Sequence, residues 1–408
     1  MLWGGVFTEN QTTDEGRVLP VPPLTNLMVS LTNQCTLRCP FCFVDHEVTR
    51  MSYQTMFDTV QFLIRNSEAC GRAPRLVFFG GEPMMEWDSL IVPITDYIRK
   101  EYGKQFYLSM TTNLTLLNEE RIRYILDNDI ACLFSVDGAR ETMGINRPFA
   151  DGSNSFEVID EKAGLVTAMV PGSAARMTLC KETAGNFLKD ILYVEGKGFG
   201  SISVLPDLFS RWTEEQTRAM EEQIRCYGDY LIASFRSGRT PTVFQQYSEM
   251  FFKMVLTNKC LELERPQSMA KCHGCGKCGF GQENHATTDY QGNIFGCLHP
   301  APLTKESPFY LGDIYHGVDP ERTRRLVEQC DAEVPGGLDC AGCKLAAVCD
   351  RGCAPNNYII VGKMNTPPET YCHFNRALMD DALRMAAVLG EEENETFRAF
   401  FQSRVRRG

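Results

Sequence analysis

The sequence predicts an α/β fold: a parallel sheet of six strands, wound as an open sheet or an incomplete (βα) barrel, followed by a loop-rich C-terminal module. Three observations predict it. Six short apolar runs alternate with helical patterns between residues 25 and 205. Polar motifs follow the first four of those runs, where the C-terminal ends of parallel strands converge on one face. After residue 260 long periodicity gives way to glycines, cysteines and short segments.

The predicted strands are NLMVSLT (26–32), RLVFF (75–79), FYLSMTT (106–112), ACLFSV (131–136), ARMTLC (175–180) and SISVL (201–205). Helical patterns fall at 52–66, 89–102, 117–129, 155–168 and 186–196. Asn118, followed by two acidic residues, reads as an N-cap. Residues 213–259 read as helical, and Thr213 with Gln216 resembles a capping box. From residue 374 an amphipathic helix is expected. The predicted organisation is an N-terminal extension (1–24), a core sheet domain (25–210), a helical linker (211–259), a cysteine-rich module (260–373) and a C-terminal helix (374–408).

Composition bounds the function. With 43% hydrophobic and 23% charged residues over 408 positions, the chain has the make-up of a globular protein. No apolar run reaches membrane-spanning length, and the N-terminus lacks the features of a signal peptide, so a cytoplasmic protein is expected, with no membrane partner. A net charge of −11 disfavours nucleic-acid binding. Eighteen cysteines in a large cytoplasmic chain point to metal or redox chemistry rather than disulfides. Cys70, Cys132, Cys180, Cys226 and Cys260 are scattered and read as small buried hydrophobes. The others cluster.

The stretch CTLRCPFC places Cys35, Cys39 and Cys42 as C-x3-C-x2-C, with Phe41 before the last. A closed zinc site wants four ligands, and a cubane cluster wants one per iron. No fourth cysteine occurs before Cys70. Thiolates in a compact loop suit an iron–sulfur cluster. The competing reading is a structural zinc loop that borrows His46.

With FFGGEP (78–83) after the second strand and SVDG (135–138) after the fourth, the motif resembles the radical S-adenosylmethionine (SAM) superfamily. That resemblance implies a partial (βα)6 TIM-type barrel. It implies that Cys35, Cys39 and Cys42 bind three irons of a [4Fe–4S] cluster, whose fourth iron is chelated by the amino and carboxylate groups of SAM. One electron then cleaves SAM to a 5′-deoxyadenosyl radical, which abstracts hydrogen from an unactivated C–H bond. A flavodoxin- or ferredoxin-type electron donor is implied. Gly80 and Gly81 would allow close approach to SAM. Glu82 would accept from its ammonium. Ser135, Asn113 and Asp137 would meet its ribose or carboxylate. Arg147, in NRPF (146–149), would pair with the carboxylate, with Arg176 as a rival and a structural salt bridge as the alternative for both. Relatives often read T-N-G at the third strand, where this chain has Thr112-Asn113-Leu114.

The later cysteines resemble the SPASM iron–sulfur domain, with two auxiliary [4Fe–4S] clusters and so three clusters in all. By that resemblance Cys340, Cys343, Cys349 and Cys372 hold one cluster, and Cys278, Cys297 and Cys353 the other. Cys272 matches an eighth ligand, with Cys275 a competitor. Such enzymes mostly modify a peptide or protein substrate. Sulfatase maturases of this group carry an Asp directly after the cysteine matching Cys297, as general base, whereas this chain reads Leu298, His299, Pro300. Leucine cannot take a proton. The favoured reading is therefore a maturase of a ribosomally made peptide that forms a thioether or carbon–carbon cross-link. Formylglycine formation in a sulfatase is the alternative. Only 34 residues precede Cys35, too few for an N-terminal recognition domain, so a separate leader-recognition protein, or none, is expected. A non-catalytic multi-cluster electron carrier is the reading from another class, and the GGEP and SVDG motifs argue against it.

Overall fold

A computed structural model describes residues 23–258, 285–297, 304–331, 340, 342–345, 349 and 351–405. Six parallel strands lie in sequence order: β1 (Asn26–Ser30), β2 (Arg75–Phe79), β3 (Tyr107–Thr112), β4 (Ile130–Ser135), β5 (Ala174–Leu179) and β6 (Ser201–Pro206). The crossovers are α1 (Tyr53–Cys70), α2 (Val92–Tyr102), α3 (Glu119–Asp127), the pair α4 (Arg140–Asn146) and α5 (Phe156–Met169), and α6 (Phe187–Gly196). Among the described residues the sheet does not close on itself.

Local sequence explains the element ends. Ser52 accepts from the Thr55 N–H to start α1, and Asn118 accepts from the Arg121 N–H to start α3. The left-handed Gly71 ends α1. Strand residues alternate in use. Ala175, Met177, Ile202 and Val204 are buried in the hydrophobic core with Ile159, Val166 and Ile191 of α5 and α6. The residues between them, including Arg176 and Ser203, face the other side of the sheet. The short α4 was not predicted: seven residues carry too little periodicity to mark a helix.

Two segments differ from their expected independence. Residues 211–259, expected as a linker, form α7 (Glu214–Arg236) and α8 (Gln245–Asn258). The Thr213–Gln216 capping box starts α7, with both of its bonds present. The cysteine-rich module contributes β7 (His285–Thr288), β8 (Asn293–Phe295), β9 (Tyr310–Asp313) and β10 (Gly317–Val318). These extend the same sheet: β7 pairs parallel with β1, and the next three follow antiparallel. The chain finishes with α9 (Pro320–Asp331), α10 (Ala354–Val361), α11 (Glu369–Glu391) and α12 (Glu395–Val405). The long α11 packs on α7 and α8, where the buried Tyr247 hydroxyl donates to Asp381 at 2.7 Å. Aromatic contacts of Phe397 and Phe401 with Phe251 and Phe235 tie α12 to the same layer. Among the described residues no helix is long and apolar enough to cross a membrane.

Candidate active site

The Cys35–Cys42 loop leaves the C-terminal end of β1 and is held from two sides. Residues 148–150 run antiparallel to it: the Arg38 N–H donates to the Pro148 carbonyl at 2.8 Å and the Ala150 N–H to the Thr36 carbonyl at 3.1 Å. From β2, the Gly81 and Glu82 N–H groups donate to the Thr32 and Gln34 carbonyls at 2.8 and 2.9 Å. The three thiols are half-buried. Burial pushes Cys39 up to about 12, with Arg147 opposing, and raises Cys35 and Cys42 as well. The Cys35 sulfur accepts from the Leu37 N–H and from Asn113 Nδ2, both at 3.4 Å. Amide donors stabilise a thiolate.

Among the described residues no three His, Cys, Asp or Glu side chains are placed to hold one metal ion. A cubane makes a different demand, since each cysteine takes a separate iron and the sulfurs spread around the cluster. Three half-buried thiols with amide donors and an arginine nearby fit such a cluster. They fit a compact zinc site poorly, and the Nδ1 of His46 is buried without a partner.

The glycines of GGEP have a packing role. A Cβ on Gly80 would lie 2.3 Å from the Thr32 carbonyl oxygen, and one on Gly81 would lie 2.3 Å from that of Gln34. The space they leave is filled by the backbone of the cysteine loop. Both therefore serve the packing of the loop onto β2, and Gly80 also has φ +138°.

Glu82 is buried, and its carboxylate is met by three donors: Thr112 Oγ1 at 2.8 Å, the Asn113 N–H at 2.7 Å and the Met84 N–H at 3.1 Å. Burial outweighs these donors and pushes its carboxyl up to about 7. Asn113 also links two elements. It also reaches Thr36 Oγ1 at 3.1 Å, and its own Oδ1 accepts from Thr115, so it ties the third strand to the cysteine loop. Leu114, standing where relatives often have glycine, keeps the left-handed backbone at φ +68° and is fully buried. The turn survives the substitution.

The fourth-strand motif departs from the expected arrangement. Arg147 makes a bidentate pair with Asp137, both bonds 2.9 Å, in a buried setting. Burial works against the Arg147 charge, but Asp137 holds its pKa above the usual arginine value. Asp137 also accepts from the Thr178 N–H at 2.8 Å and from Asn146. The Arg147 guanidinium lies over the Phe41 ring, 5.2 Å from its centre. This is the structural salt bridge of the two alternatives. Arg176 is different. It sits directly across the β4–β5 ladder from Ser135, on the same face. Its guanidinium's hydrogen bond among the described residues goes to Ser203 Oγ at 2.9 Å, and no carboxylate there lies within ion-pair distance. Burial and the nearby Arg147 push its pKa down to about 10. A lone Arg inside an apolar strand was its sequence signal. Ser203 and its partner Gln246 carried none.

In the C-terminal module, Cys297 follows β8 and Cys353 caps α10. The Cys372 thiol is pushed up to about 11, first by burial, then by the nearby Cys349, Cys340 and Cys343, with Arg376 opposing. The four residues expected to share one cluster are thus neighbours. Cys272, Cys275 and Cys278 lie outside the described residues, as do Leu298, His299 and Pro300. Of the scattered cysteines, Cys180 is buried, while Cys70, Cys132 and Cys226 are half-buried, and Cys260 lies outside the described residues.

Residues 29–192 match the family model described as the radical SAM superfamily. The chain carries a radical SAM domain. A cysteine-type anaerobic sulfatase-maturating enzyme of Clostridium perfringens is 27% identical over 256 residues, 54% of this chain and 68% of the relative. The chain spans 46% of another relative, an uncharacterized protein of Methanocaldococcus jannaschii that is 29% identical over 137 residues, 33% of this chain. Among solved structures, a native anSMEcpe with bound AdoMet and a Cp18Cys peptide superposes with a TM-score of 0.68 at 18% identity, covering 90% of this chain and 99% of that one. SuiB of Streptococcus suis bound to its precursor peptide SuiA superposes with a TM-score of 0.57 at 14% identity, covering 86% and 76%. The fold is therefore the one shared by these solved structures.

Proposed function

We propose that this radical SAM enzyme abstracts hydrogen from a residue of a ribosomally made peptide and so forms a thioether or carbon–carbon cross-link. The observation that carries the enzyme reading is spatial. The cysteine loop, Glu82, Asn113 and Ser135 stand at the C-terminal ends of four consecutive parallel strands, and Arg176 lies across the β4–β5 ladder from Ser135. An electron carrier has no use for that cradle.

Cys35, Cys39 and Cys42 would hold a [4Fe–4S] cluster, which with SAM supplies one-electron bond cleavage and a hydrogen-abstracting radical. Asn113 and the Leu37 N–H orient Cys35 and favour its thiolate. Glu82 would hold the SAM ammonium. Ser135 and Arg176 take the SAM carboxylate, because Arg147 is committed to Asp137. Asp137 serves the site by holding Arg147 and the end of β5. Cys340, Cys343, Cys349 and Cys372 would hold one auxiliary cluster, and Cys278, Cys297 and Cys353 the other, with Cys272 or Cys275 as its further ligand. A flavodoxin- or ferredoxin-type protein would supply electrons.

The reaction on the peptide rests on Leu298, which replaces the expected carboxylate base. The named peptide complexes of two structural neighbours support a peptide substrate. The sulfatase-maturase reading has support in the higher TM-score of that neighbour. Mass spectrometry of candidate peptides, incubated with the reduced, reconstituted protein and SAM, separates the two readings. A product lighter by two hydrogens and joined within the peptide is expected. Exchange of cysteine sulfur for oxygen in a sulfatase peptide would overturn cross-linking, and absence of SAM cleavage with any peptide would overturn the enzyme reading.

A further inference from the structure

The Arg176 side chain has one hydrogen-bonding neighbour among the described residues, and that neighbour is itself held. Ser203 Oγ accepts from Arg176 Nη1 at 2.9 Å and from Gln246 Nε2 at 3.0 Å. The Gln246 amide cannot turn over without losing a bond, because its Oε1 accepts from the Val204 backbone N–H at 2.7 Å. A backbone N–H only donates, so the amide oxygen must face it and the amide nitrogen must face Ser203. Both acceptor positions of the Ser203 oxygen are then filled.

Gln246 stands in the first turn of α8, which packs along β6, the free edge of the six parallel strands. It takes the outward N–H of Val204. The next outward position along that edge is Pro206, which has no N–H. The edge is closed there by a side chain rather than by another strand. The same side chain fixes the serine that aims a cation. Around that cation the charge is unbalanced: Asp137 is spent on Arg147, leaving the Arg176 guanidinium without a counter-ion among the described residues. A half-buried arginine held in one orientation by neutral partners is set up to receive an anion.

We propose that Gln246 is a positioning residue. Through Ser203 it holds Arg176 in the orientation that receives the SAM carboxylate, and so couples the helical layer to the SAM site. The inference rests on the assignment of Arg176 made above. Its test is binding, not turnover. The full-length reconstituted protein is titrated with SAM and with decarboxylated SAM, and the ratio of the two dissociation constants measures the carboxylate contact. In Gln246→Leu that ratio falls about fivefold, the size of one neutral hydrogen bond, while affinity for decarboxylated SAM stays as in the wild type. Equal weakening of both ligands, or an unchanged ratio, overturns the proposal. Arg176→Met is the control. If it leaves the ratio unchanged, the assignment of Arg176 fails; if it collapses the ratio while Gln246→Leu does not, only the role of Gln246 fails. Should Gln246→Leu not fold, Ser203→Ala breaks the same link and is read by the same ratio.

Discussion

The two described cysteine regions are built on different principles. The loop of Cys35, Cys39 and Cys42 is pinned by the backbone of two neighbouring segments and by Asn113. Its shape is set by protein hydrogen bonds before any metal arrives. The set of Cys340, Cys343, Cys349 and Cys372 lies mostly in irregular chain, with only Cys372 on a helix, α11. Such a segment has little core of its own and needs a staple. A site whose fourth iron is left to a ligand needs a rigid frame, whereas a closed structural site can be organised by its metal.

The sharpest way to break this comparison is to delete one ligand from each region. Cys35→Ala should reduce SAM cleavage, read as 5′-deoxyadenosine, to background, yet leave protease resistance unchanged. Cys340→Ala should remove a similar amount of iron, from about twelve to about eight atoms per chain, and also open residues 340–372 to limited proteolysis. Equal protease resistance in both variants would show that the second region does not depend on its metal.

Next in size is the ion pair that braces the first loop. Asp137→Asn leaves Arg147 buried without its counter-charge. It should cost about 3–5 kcal/mol in chemical denaturation. A loss under 1 kcal/mol would mean that Arg147 finds another partner.

A smaller effect should appear with pH. Burial raises Glu82 to about 7 and Asp190 to about 6. The folded chain therefore keeps protons that the unfolded chain releases above its ordinary carboxylate pKa values. Their contribution is fully present at low pH and is lost as pH rises from about 4 to about 7. The melting temperature of the metal-free protein should fall over that window, and Asp190→Asn should flatten part of the slope. A melting temperature that rises across the window would contradict these raised values.

The smallest effect concerns Leu114. Both Leu114→Ala and Leu114→Gly lose a buried side chain, but only glycine relieves the left-handed backbone. The glycine variant should be the more stable of the two by about 1 kcal/mol. The reverse order would show that the turn relaxes without strain.

Much of this protein was determined by its sequence alone. The periods of the six runs placed β1 to β6 within a residue or two, and Asn118 and the Thr213–Gln216 box marked real helix starts. Those signals are local: alternation, capping and spacing act within a few residues, so one stretch of chain is enough to read them. Only the tertiary structure decided that Arg147 turns to Asp137 while Arg176 is left free of a carboxylate among the described residues. It also decided that Gly80 and Gly81 serve the cysteine loop, and that β7 joins the sheet beside β1. These outcomes depend on strand order and register, which bring together residues tens to hundreds of positions apart. A pattern read along the chain shows which residues can pair. Which of them do pair is settled when the sheet assembles.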